Sequence, residues 1–176
     1  MIRSGKPVER SLPTYYEPKV AMTTILGISP GTRRVGIAIL ENKSLVDWQT
    51  LSFPKPWTDA KVEEITEAVK IIIFYHRITH VALKVPPKHK TTPNLILVLK
   101  ALKGLFKQQK VTLTIYYISE LKNYCQQPNK DKLAEFICKK EPYLNRIYRK
   151  NLISQVKYYT PVFEAISAAF TRSFTL

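Results

Sequence analysis

Three short β-rich runs joined by tight connections, followed by an alternation of helical and extended segments, restrict this chain to a mixed sheet flanked by helices. Residues 23–28 are apolar and β-branched and stop at Ser29-Pro30-Gly31, a turn signal. Residues 35–40 read as a second strand. Glu41-Asn42-Lys43-Ser44 is a polar turn, and residues 45–53 form a third strand closed by Pro54 and Pro56. Connections this short imply an antiparallel meander. A helix starts at Thr58-Asp59, with Glu63 and Glu64 in its early turns and Val62, Ile65, Val69, Ile72 and Ile73 at helical spacing. Residues 80–85 are a fourth strand, 94–109 a second helix, 111–118 a fifth strand and 130–139 a further helix. Pro161 opens a last helix that runs through Phe170. The fold class is α/β: a five-stranded mixed sheet, with three antiparallel strands and the rest parallel, flanked by helices.

One domain suits 176 residues. We divide the chain into a basic N-terminal arm over 1–22, where Arg3, Lys6, Arg10 and Lys19 mix with Pro7, Pro13 and Pro18, and a domain over 23–176. Cys125 and Cys138 make no disulfide framework, and His76, His80 and His89 have no ligand spacing, so free thiols in a reducing cytoplasm are expected. No apolar run approaches the ~20 residues that span a bilayer, and no membrane partner is expected.

The segment Ile25-Leu26-Gly27-Ile28-Ser29-Pro30-Gly31-Thr32-Arg33-Arg34-Val35-Gly36-Ile37-Ala38 resembles the first hairpin of the RuvC-type Holliday junction resolvases, which have a ribonuclease-H-like fold. In that hairpin Gly31 is expected to supply a turn conformation that a Cβ disfavours, and Gly36 a close backbone approach. His80-Val81-Ala82-Leu83-Lys84 resembles the family's fourth strand. Ser119-Glu120-Leu121-Lys122 and Asn129-Lys130-Asp131-Lys132-Leu133 resemble its post-strand segment and following basic helix. Phe163-Glu164-Ala165-Ile166-Ser167-Ala168-Ala169 resembles its final helix. The resemblance covers roughly residues 23–173, in order.

It implies a nuclease site of about four carboxylates holding two Mg²⁺ ions ~4 Å apart. Here the first-strand Asp position is Ser29, the fourth-strand Glu position is Lys84, and the first helix acid falls at Pro161. Only Glu164 keeps a carboxylate. A hydroxyl is a poor bridging ligand and an ammonium repels a cation, so no catalytic residue, metal or other cofactor is expected. If Lys84 and Glu164 both face the old metal centre, they should pair across it. Asp47, Glu120 and Asp131 are the acids left to rebuild a site, with Glu120 the best placed, and Mg²⁺ is expected only on that reading.

The remaining signal is positive charge. Lys and Arg number 28 against 13 Asp and Glu, a net charge of +15. No acid occurs between Ala68 and Ser119, a stretch that holds Lys88, Lys90, Lys100, Lys103 and Lys107. The last three share a face of the second helix, opposite Leu95, Leu99, Leu102 and Phe106. With Arg33 and Arg34 they form the expected phosphate-binding set, and Tyr116, Tyr117, Tyr143, Tyr148, Tyr158 and Tyr159 are available to stack on bases. The expectation is a nucleic-acid-binding pseudo-nuclease, with DNA as partner, a scaffold in repair or recombination, and a homodimer as in the family. It would be cytoplasmic, or nucleoid-associated in a prokaryote. An active nuclease with a rearranged site and a protein-interaction module are the alternatives.

Overall fold

A computed structural model describes residues 22–176. The arm expected over 1–22 therefore lies, Met22 apart, outside the described residues. The elements run β1 (Thr24–Ser29), β2 (Arg34–Glu41), β3 (Ser44–Ser52), α1 (Ala60–Tyr75), β4 (His80–Val85), α2 (Pro93–Gln108), β5 (Thr112–Tyr117), α3 (Ile118–Tyr124), α4 (Lys130–Lys140), α5 (Asn145–Ile153) and α6 (Thr160–Phe174). All five expected strands are present. Additional helix was expected without bounds, and it is α3, which follows β5 without a break, and α5.

The sheet order is β3-β2-β1-β4-β5. β1, β2 and β3 are antiparallel, while β4 runs parallel to β1 and β5 parallel to β4. The meander turns at Asn42 and Lys43, whose φ angles of 48° and 70° are left-handed, as a two-residue hairpin loop requires. β1 is central and buried on both faces, so it reads as a continuous apolar run.

Strand alternation assigns side chains to two cores. Leu26, Ile28, Ile37, Ile39, Val81 and Leu83 point to the layer of α1 and α2. Ile25, Ala38, Leu40 and Ala82 point to the opposite layer, with α3, α4 and α6. On that second face α6 lies against the sheet backbone. A Cβ built on Gly27 would fall 2.1 Å from the Ala165 carbonyl oxygen, and one on Gly36 2.0 Å from that of Pro161. The close approach expected at Gly36 is therefore present, and Gly27 shares it. The turn at Gly31 does disfavour a Cβ, which would meet the Arg34 carbonyl oxygen at 2.6 Å; the constraint is steric, since no described glycine has positive φ.

The expected inward face of α2 is present: Leu102 and Phe106 are buried, and Leu95 and Leu99 pack half-buried against the same core. Val98 and Leu105 join them, and Val98 was hidden in the sequence because Leu95-Ile96-Leu97-Val98-Leu99 is apolar all round. Val62 of α1 is likewise half-buried, while Ile65, Val69, Ile72 and Ile73 form the buried stripe. Cys125 and Cys138 are both free and buried, and burial pushes the Cys138 thiol up to about 11.

Candidate functional site

Strand period and register bring three of the four singled-out positions together. Ser29 shares a face of β1 with Ile25 and Gly27, and Lys84 shares a face of β4 with Ala82. The parallel register pairs Ile28 with Leu83, so Ser29 and Lys84 stand level at the adjacent strand ends. Both face α6. Glu164 sits in the second turn of α6, behind Pro161, which occupies the first turn where its missing N–H costs nothing.

Glu164 is almost fully buried, its side chain 6% exposed, and its carboxylate is engaged from three sides. The Ser29 hydroxyl donates a 2.7 Å hydrogen bond to Oε2. The Lys84 ammonium lies 2.7 Å from the same oxygen, with a side chain 10% exposed. The Lys130 ammonium lies 2.5 Å from Oε1, from a half-exposed side chain. The two lysine contacts are ion pairs, and the Ser29 contact is a hydrogen bond. Burial is the largest influence on the Glu164 carboxyl and raises its pKa. The charges of Lys84 and Lys130 together outweigh it and hold the group below the usual carboxylate value. The pair expected between Lys84 and Glu164 is thus formed.

Lys130 is the member that the sequence reading missed. It is the first residue of α4, whose N-cap Asn129 accepts a 2.9 Å hydrogen bond from the Lys132 amide. The sequence placed the start of this helix at Lys130, but not the packing that brings that start against Glu164. Pro161 brings no polar group to the cluster; its carbonyl packs over Gly36.

Of the three acids left to rebuild a site, Asp131 lines one small pocket together with Glu164 and Lys130, and the other two are employed elsewhere. Glu120 caps α3, its carboxylate accepting a 2.6 Å hydrogen bond from the Tyr117 amide. Asp47 faces His76 at 3.7 Å. Among the described residues no three His, Cys, Asp or Glu side chains gather as a metal site would require.

The basic residues flank the sheet end where β1 and β4 finish. Arg33 is exposed in the turn between β1 and β2, and the Arg34 guanidinium lies 5.2 Å from the Tyr158 ring centre. Lys88 and Lys90 are exposed in a 3₁₀ turn after β4. Lys88, Lys100 and Lys103 line one open groove of about 680 Å³ whose other walls include Ile96, Leu99, Ile115 and Tyr117. Lys107 continues the exposed face of α2 outside that groove.

No protein-family model and no curated protein matches the sequence. Solved structures do. RuvC of Thermus thermophilus in complex with a Holliday junction substrate superposes with a TM-score of 0.66 at 16% identity, covering 86% of this chain and 93% of that one. A second structure of Thermus thermophilus RuvC gives 0.65 at 16% identity, covering 86% and 94%. The five-stranded mixed sheet, its order and its helical layers are those of the ribonuclease-H-like fold of RuvC.

Proposed function

We propose that this protein binds nucleic acid, DNA foremost, and does not cut it. The observation that carries the reading is the occupancy of Glu164. A two-metal nuclease site needs several anionic oxygens free to face the cations. At the corresponding place in this fold, one carboxylate remains and both its oxygens are held by ammonium groups, with a hydroxyl on the side of Ser29. A divalent ion would have to displace Lys84 from a buried position and take its charge alongside two lysines. The residues present do not fit a Mg²⁺ pair.

Binding is supported by charge and placement. The net charge is +15, and Arg33, Arg34, Lys88, Lys90, Lys100 and Lys103 surround the same sheet end. The similar RuvC was solved with a Holliday junction, which makes a four-way junction the first substrate to try. The test is retardation of four-way, duplex and single-stranded DNA by the full chain, with and without Mg²⁺, over a salt series. The reading expects retained, uncut DNA, released as salt rises. Failure to retain any DNA at low salt would end it, as would Mg²⁺-dependent cutting.

A further inference from the structure

β5 is the end of the sheet: among the described residues no strand lies beyond it. Its six residues, Thr112-Leu113-Thr114-Ile115-Tyr116-Tyr117, are β-branched, aromatic or apolar, with no Pro and no charge. Protected edges carry such devices, and this one has none. The Thr112 amide bonds the Thr79 carbonyl at 3.0 Å, on the β4 side. Alternation then turns the amides and carbonyls of Leu113 and Ile115 outward, away from β4. Tyr117 also faces outward, and its amide is taken by Glu120. Beside this edge runs the groove of about 680 Å³ between β5 and α2, where Ile96, Ile115 and Tyr117 are exposed and Lys88, Lys100 and Lys103 stand along the rim.

We propose that β5 and this groove receive an extended acidic peptide of a partner protein, which adds a strand to the sheet and sets alternate side chains against the groove. Outward main-chain groups fit a peptide backbone, the apolar floor fits every second side chain, and the lysine rim fits carboxylates. Charge selects this occupant over the nearer ones. Residues 1–21 carry Arg3, Lys6, Arg10 and Lys19 against Glu9 and Glu17, which the rim repels. A second copy would bring its own lysines to the same edge. The inference goes beyond nucleic-acid binding and does not rest on it, although the shared lysines make the two occupants mutually exclusive.

The test is fluorescence anisotropy with the full chain, no nucleic acid present, and a short labelled peptide alternating Glu and Val. Saturable binding is expected, with none for the matching Lys-Val peptide. Lys100→Glu with Lys103→Glu, on an exposed helix face, should weaken it by about tenfold or more. Ile115→Pro removes an outward amide without costing a ladder bond, and should weaken it by about tenfold, the scale of one or two hydrogen bonds. No binding of the Glu-Val peptide, or binding untouched by the lysine reversals, overturns the proposal. So does displacement by a synthetic peptide of residues 1–21, self-association lost on the Ile115→Pro change, or a groove that retains only oligothymidine.

Discussion

Glu164 stays charged in a buried place because Lys84 and Lys130 stand beside it. Glu164→Gln removes the anion and leaves a buried ammonium without a counter-charge, so it should cost about 3–5 kcal/mol in urea unfolding. Lys84→Met should cost less, because Lys130 and Ser29 still hold the carboxylate. Replacing both, as Lys84→Met with Glu164→Leu, should be neutral or stabilising by about 1–4 kcal/mol. The ordering of these three melts separates a coupled pair from two independent charges. The pH dependence has a definite sign. The Glu164 carboxyl is depressed below its unfolded value of 4.5, so its stabilising contribution is complete above that pH. It fades as pH falls through the lower folded value, and Glu164→Gln should flatten that part of the stability curve. The Lys84–Glu164 contact was legible in the sequence because strand period and the family resemblance place both residues on one centre. The Lys130 contact was not, although the helix start itself was placed at Lys130, since it depends on how α4 packs against α6.

Helix α6 against β1 and β2 is the packing that positions the site, and two glycines make it possible. Gly36→Ala would drive a methyl into the Pro161 carbonyl and lift the first turn of α6, so it should cost about 1–3 kcal/mol or more. Gly104 is the control. It lies inside α2, and a Cβ there meets nothing within 4 Å. Gly104→Ala should stabilise by about 1 kcal/mol through helix propensity alone, a gain in thermal midpoint where Gly36→Ala gives a loss. The glycines also mark how far local sequence reaches. Gly36 announced a close approach, but its partner, a helix 125 residues later, could not be read from the motif. The strands were legible because alternation and turn residues agree. So was the inward face of α2, opposite Lys100, Lys103 and Lys107, although five consecutive apolar residues hid Val98 from it.

At the scale of the whole molecule, the positive charge gathers around one sheet end and a groove beside it. If phosphates follow that path, affinity should fall with salt on a log-log slope of about −0.9 per contact. Lys100→Ala with Lys103→Ala should then flatten the slope by about two units without changing stability, read from anisotropy of labelled junction DNA in a salt series. The central claim is that lysines have taken the place of cations at Glu164. Diffraction at the manganese edge from crystals soaked in Mn²⁺ tests it most directly. The account predicts no anomalous peak near that carboxylate and an unbroken contact from Lys84; an ion coordinated by Glu164 and Ser29, with Lys84 swung away, would contradict it.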